Sequence, residues 1–203
     1  MAEQIHIGFG IDKNFGAFAG ITITSLVHNN IANELIIHIV YDDLLSEDMH
    51  KLKQMEQLYR NLTLHFYRIK STEGMKFIVP PGHITQAMYY RYLFADMLPQ
   101  TVTRLIYLDA DIICKGDILP LWQSDLQGKV LGAIRDYGEA KSCVRIGLKS
   151  RRYFNSGVLV SAKPGKRLKM TCRTSGKTLR NNNSLMFQYL TKNRHSELSL
   201  IHI

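Results

Sequence analysis

Short apolar runs recur along the first four fifths of the chain, each closed by a polar or glycine-bearing turn. Gln4 to Gly10 (QIHIGFG), Glu34 to Tyr41 (ELIIHIVY) and Asn61 to Tyr67 (NLTLHFY) have the length and β-branched content of strands. Ala17 to Asn29 lies between the first two and reads as a helix whose small residues suit close packing on a sheet. Asn29-Asn30 stops it. Ser46 to Tyr59 reads as a second helix with Ser46 as its N-cap. The order β-α-β-α-β predicts an α/β protein with an open, mostly parallel sheet flanked by helices. Thr85 to Met97 carries Ala87, Met88, Tyr92, Leu93 and Ala95 at helical spacing, and Pro99 ends it. Three more strands are expected, at Leu105 to Leu108, Val130 to Ile134 and Val158 to Val160. His38 and His65 fall inside strands, where a structural histidine is the expected occupant.

The run Leu105 to Leu108 is apolar throughout, as a strand buried on both faces must be, and it ends abruptly at Asp109-Ala110-Asp111. In open α/β sheets, ligands bind in the crevice beyond the carboxyl ends of the strands. Two carboxylates separated by one small residue can share a dication that relieves their repulsion, and oxygen ligands of this kind suit Mn²⁺ or Mg²⁺. A solvated turn with two free aspartates is the alternative. Asp12 and Asn14, at the end of the first strand, are candidate contacts to a base or ribose. The glycines around them do not form the G-x-G-x-x-G pattern of a dinucleotide site. Arg91, on the helix before the Asp-x-Asp strand, is a candidate for a phosphate or sugar hydroxyl. Asn155, ahead of Ser156-Gly157, is a candidate amide donor, unless the segment is simply a turn that needs positive φ.

Charge alters this picture only near the end of the chain. The net charge is +9, but residues 1–162 contribute +1 and residues 163–203 contribute +8. A basic nucleic-acid-binding module is therefore a reading of the tail alone, and the tail lacks interleaved aromatics. Gly138 to Ser150 reads as a mobile loop near the site. The three cysteines are odd in number and widely spaced, which points to reduced thiols in a cytoplasmic protein. No apolar run approaches the roughly 18 residues that span a bilayer, and the N-terminal residues have no signal-peptide pattern.

Four stretches then resemble glycosyltransferase family 8: FGIDKNF, YYRYLFADMLP, LIYLDADIICKGDILPLW and YFNSGVLV, in that order and spacing. Within that family the chain looks like the lipopolysaccharide core α-glucosyl- and α-galactosyltransferases. The resemblance implies a GT-A fold and transfer of a hexose from UDP-glucose or UDP-galactose to a lipopolysaccharide core acceptor, with retention of configuration. It also implies a cytoplasmic enzyme in peripheral contact with the inner membrane and no nucleic-acid partner. On that basis Asp12 and Asn14 contact the uridine, Arg91 and Asn155 the donor sugar, and Asp109 and Asp111 the Mn²⁺ or Mg²⁺. No catalytic residue is assigned. The likeness covers residues 4–161, which gives a nucleotide-sugar domain at 1–161 and a basic tail at 162–203. The family's acceptor motif and its third metal ligand, a histidine, are not visible in that tail. Neither His195 nor His202 is assigned to the metal. A reading-frame shift near Ser161 accounts for both the charge and the missing motifs, and it implies a weak or inactive transferase truncated at its C-terminal side. A haloacid-dehalogenase-like phosphatase also uses Asp-x-Asp, but there the motif opens the fold, whereas here it follows the fourth strand.

Overall fold

The computed structural model describes residues 2–69, 85–135 and 154–162. The expected loop at 138–150 and the basic tail from 163 onward lie outside these residues, as do Cys143, Cys172, His195 and His202. The strands are β1 (Gln4–Ile11), β2 (Glu34–Tyr41), β3 (Leu62–Arg68), β4 (Arg104–Leu108), β5 (Leu131–Arg135) and β6 (Phe154–Ala162). They form one sheet in the order β3-β2-β1-β4-β6-β5. The first four strands run parallel, and β6 pairs antiparallel with both β4 and β5. The sheet is thus parallel on one side and mixed at the other.

Alternation along the strands separates two cores. Ile5, Ile7, Phe9 and Ile11 of β1 and Leu35, Ile37 and Ile39 of β2 are fully buried on one face. There they meet α1 (Gly16–Asn29) through Ala19, Ile23 and Leu26, and α2 (Ser46–Leu58) through Leu52. Each such side chain contributes roughly 1.5–3 kcal/mol on burial. No side chain caps α2: Ser46 is already its first residue, Leu45 stands at the N-cap, and Glu47 and Asp48 in the first turn complement the helix dipole instead.

The other face is covered by the segment expected as one helix over Thr85 to Met97. It forms a 3₁₀ helix, Gln86–Tyr92, followed by a single turn, α3 (Phe94–Met97). The tighter three-residue turn stacks Ala87 and Tyr90 on the same buried side. They press against β1 so closely that a Cβ on Gly10 would lie 2.9 Å from the Tyr90 Cβ and 3.2 Å from the Ala87 carbonyl oxygen. Glycines in β1 therefore permit backbone-close packing of the segment that carries Arg91.

Farther from that cover, the same face carries a histidine ladder. His6 Nδ1 lies 2.9 Å from His38 Nε2, and His38 Nδ1 lies 3.0 Å from the Tyr67 hydroxyl. His38 also stacks on His65. His38 is buried as expected of a structural histidine, whereas His65 is exposed. Burial, reinforced by the neighbouring imidazoles, pushes the pKa of His38 down to about 3 and lowers that of His6. The unfolded chain then binds more protons than the folded one between pH about 6.5 and about 3, so stability falls as pH falls through that window. At pH 5 the His38 contribution alone is about 2 kcal/mol, a loss of about 4–8 °C in Tm relative to pH 7. Thermal unfolding of wild type and His38→Gln across pH 4.5–7.5 tests this. The variant should have a flatter profile, and equal slopes would count against the ladder as the cause.

Candidate functional site

In the strand order, β1 is linked onward to β2 on one side and lies beside β4 on the other, so the chain reverses direction across the sheet between β1 and β4. Such a switch point opens a crevice at the carboxyl edge. Ile7 pairs with Ile106 and Gly8 with Tyr107, which sends the ends of β1 and β4 out of that edge side by side. Asp12 follows one strand; Asp109 and Asp111 follow the other. Asp42 and Asp43 leave the same edge after β2.

Asp109 is the most closely held of these groups. Its Oδ1 takes a hydrogen bond from the Tyr107 hydroxyl at 3.0 Å and an ion pair from the Arg91 guanidinium at 3.1 Å. Its backbone N–H donates to the Gly157 carbonyl at 2.8 Å. Arg91 also donates to the carbonyls of Met88 and Ser156, and its guanidinium lies over the Tyr107 ring at 4.5 Å. The Arg91 side chain is only 7 % exposed, against 38 % for Asp109. A buried guanidinium thus fixes a carboxylate that still reaches solvent. Burial, ahead of the neighbouring charges, pushes the Tyr107 phenol well above its usual range, so it remains a proton donor to Asp109.

The second oxygen of Asp109 owes its place to a missing side chain. A Cβ on Gly157 would come within 2.6 Å of Asp109 Oδ2 and 3.0 Å of Asn155 Oδ1. The alternative of a positive-φ turn at Asn155-Ser156-Gly157 does not hold: the segment is part of β6, and Gly157 does not have positive φ. What Gly157 supplies is close approach. Opposite β5 the register jumps from Leu159 to Asn155, and this irregularity carries the Ser156 and Gly157 carbonyls to Arg91 and Asp109. Asn155 is exposed, and its Oδ1 accepts the Gly157 N–H at 2.7 Å, while its amide N–H₂ has no hydrogen bond among the described residues.

Asp12 is buried, and its Oδ1 accepts the Asn14 N–H at 2.8 Å in a local turn, with the Asn14 side chain exposed. Nearby, the Tyr90 hydroxyl is buried without a well-formed hydrogen bond among the described residues. It feels the carboxylates of Asp42 and Asp12 nonetheless: burial first, then these charges, raise its pKa. Asp111 is exposed and has no hydrogen bond or ion pair among the described residues.

The structure therefore brings Arg91, Asp109 and Asn155 into one cluster, with Asp111 two residues along and Asp12 at the adjoining strand end. Sequence reasoning missed Tyr107, which alternation places on the same face as Asp109, and it missed the reason for Gly157. The donor set suits a hard dication: Asp109 Oδ2 sits in a glycine cradle and Asp111 is unpaired. No group of three or more His, Cys, Asp or Glu able to hold a metal occurs among the described residues. Two carboxylates plus substrate phosphates are a normal environment for Mg²⁺. No helix among the described residues is long and apolar enough to cross a membrane.

Comparison with known proteins gives a consistent result. A family model described as "Glycosyl transferase family 8" matches residues 6–193. The lipopolysaccharide 1,2-glucosyltransferase of Escherichia coli strain K12 is 34 % identical over 165 residues, covering 78 % of this chain and 47 % of the relative. The lipopolysaccharide 1,3-galactosyltransferase of Salmonella typhimurium strain LT2 is 30 % identical over 166 residues, covering 78 % and 48 %. The chain thus spans about half the length of these relatives. Among solved structures, the galactosyltransferase LgtC with donor and acceptor sugar analogues superimposes with a TM-score of 0.64 at 21 % identity, over 80 % of this chain and 59 % of LgtC. An active-site mutant of LgtC gives 0.66. The fold is of the GT-A type.

Proposed function

Because the chain belongs to glycosyltransferase family 8, we propose that it binds a UDP-hexose, glucose or galactose, and that its family chemistry is retaining transfer of that hexose to a lipopolysaccharide core sugar. The observation that carries this reading is Asp109 at the switch point, fixed through Oδ1 by Arg91 and Tyr107 with Oδ2 open over Gly157.

Several carboxylates at one strand edge repel a diphosphate, so donor binding requires a counter-charge. Asp109 Oδ2 and Asp111 would hold Mn²⁺ or Mg²⁺. When bound, such an ion supplies positive charge against the phosphate oxygens as the sugar–phosphate bond breaks. The chain's own groups do the rest. Asp12 offers its remaining oxygen to the uridine, beside Asn14. Asn155 offers amide hydrogens to the donor sugar. Arg91 spends three of its five N–H groups on Met88, Ser156 and Asp109 and has two left for a sugar hydroxyl. The family resemblance supports departure and attack on one face of the sugar. Work at the cytoplasmic side of the inner membrane follows from the acceptor. The phosphatase and nucleic-acid readings have no comparable support.

Because the family's acceptor motif is not visible in residues 162–203, this chain is expected to retain donor binding and to lose most acceptor-dependent turnover. Thermal shift with Mn²⁺ and UDP-glucose, UDP-galactose or UDP-N-acetylglucosamine tests the first part: at ligand 100-fold over Kd the gain is about 2.7 kcal/mol, or about 5–10 °C. Chelation should reverse it. A shift produced equally by AMP, or unaffected by chelator, would sink the donor assignment.

A further inference from the structure

One stripe of α1 serves neither core. Thr22, Ser25 and Asn29 follow one another at helical spacing and face the segment from Ala110 to Cys114. Thr22 is 1 % exposed, and its hydroxyl lies 2.6 Å from the Ala110 carbonyl oxygen and 2.7 Å from that of Ile112. The Ser25 hydroxyl accepts the Cys114 N–H at 2.9 Å, and the Asn29 amide donates to the Cys114 carbonyl at 3.0 Å. The segment is thus fastened at residues 110, 112 and 114. Between these points Ala110-Asp111 forms a turn, and the side chains of Asp111 and Ile113, which none of the three α1 residues bonds, are both exposed.

The Asp111 side chain makes no hydrogen bond or ion pair among the described residues, so no polar partner there holds it and its backbone sets its direction. We propose that the polar stripe of α1, led by Thr22, is a positioning device that aims Asp111 into the crevice beside Asp109. The role rests on the metal-assisted donor reading above. Thr22 touches neither donor nor metal; it acts through the two carbonyls that flank Asp111. A buried hydroxyl between two carbonyl oxygens would be an odd choice for packing alone, since valine has nearly the same shape without the desolvation cost. A small loss of aim is sufficient to matter, because a ligand set works only when held within about 0.5 Å of its geometry.

The test is Mn²⁺ binding in the presence of UDP, read by the loss of free Mn²⁺ signal in electron paramagnetic resonance. Wild type, Thr22→Val, Thr22→Ser, Ser25→Ala, Asp111→Asn and the Thr22→Val/Asp111→Asn double variant are compared, with circular dichroism to establish folding. Thr22→Val should weaken Mn²⁺ binding about 10-fold, in line with the loss of a buried hydrogen bond, and Ser25→Ala about 3-fold. Thr22→Ser should restore wild-type affinity. In the Asp111→Asn background, Thr22→Val should cost nothing further, which a general loss of packing could not mimic. Equal Mn²⁺ affinity in wild type and Thr22→Val overturns the positioning role and leaves the donor reading intact. If Thr22→Val does not fold, unchanged affinity in Ser25→Ala overturns the role in the same way. Absence of UDP-dependent Mn²⁺ binding in wild type overturns the donor reading and the positioning role with it.

Discussion

Asp111→Asn is expected to abolish Mn²⁺-dependent donor binding and to leave the ligand-free protein as stable as wild type, whereas Asp109→Asn is expected to abolish binding and lower stability together. The difference follows from what each carboxylate touches. Asp111 is exposed and unpaired among the described residues, so its amide analogue should change Tm by no more than about 2 °C. Asp109 is the counter-charge for an Arg91 side chain that is 7 % exposed. An asparagine there can still accept the Tyr107 hydrogen bond, but it leaves the guanidinium without a neutralising partner. That costs about 2 kcal/mol, or about 4–8 °C. For both variants the Kd for Mn²⁺ with UDP should rise by about 100-fold or more, beyond the usual cost of a supporting contact. Scanning calorimetry and metal titration separate the two effects. A matching Tm loss in both variants would contradict the assignment of Asp109 as the structurally held carboxylate.

Gly157→Ala is expected to be nearly as damaging, although no charge changes. The new methyl would stand 2.6 Å from Asp109 Oδ2, closer than real Cβ atoms come to another heavy atom, and 3.0 Å from Asn155 Oδ1, a tight contact. Asp109 cannot yield freely, because its N–H is bonded to the Gly157 carbonyl and its Oδ1 to Arg91 and Tyr107. The strain costs about 1–3 kcal/mol. A displacement of the order of 1 Å at the ligand set lowers donor affinity or turnover by about 100-fold. Gly116→Ala is the control, since nothing among the described residues lies within 4 Å of a Cβ there and its loop belongs to the same Asp-x-Asp segment. UDP titration with Mn²⁺ should find Gly116→Ala like wild type and Gly157→Ala severely weakened. Equal affinities would mean that Asp109 does not depend on this close approach.

Much of the fold could be read directly because burial imposes periodicity. A strand covered on both faces has to be apolar throughout, which located Leu105 to Leu108, and Glu34 to Tyr41 was bounded to the residue. Thr85 to Met97 misled for the same reason: its apolar spacing fits an α-helix as well as a 3₁₀ turn. The 3₁₀ turn packs where Gly10, about 75 residues earlier, lacks a side chain and so lets Ala87 and Tyr90 approach β1. Likewise Asn155-Ser156-Gly157 has the composition of a turn. It belongs to a strand because β5 pairs with Asn155, β4 takes up the pairing from Val158 onward and the Asp109 N–H bonds the Gly157 carbonyl, while an irregularity in the β5 pairing absorbs its unusual shape.

By itself, the sequence determined which residues are apolar at which period, and therefore that a sheet ends at Asp109-Ala110-Asp111 with acidic groups at its edge. Its strings of residues also placed the chain in a family. Only the tertiary structure decided that Arg91 serves Asp109, that Gly157 makes room for Oδ2, and that Thr22 grips the backbone on either side of Asp111. These are contacts between residues 48 to 90 positions apart for Gly157 and Thr22 and 18 apart for Arg91, and they depend on strand order and register. Local periodicity carries no information about which distant backbone a side chain will meet, because that is fixed only when the sheet closes around its core.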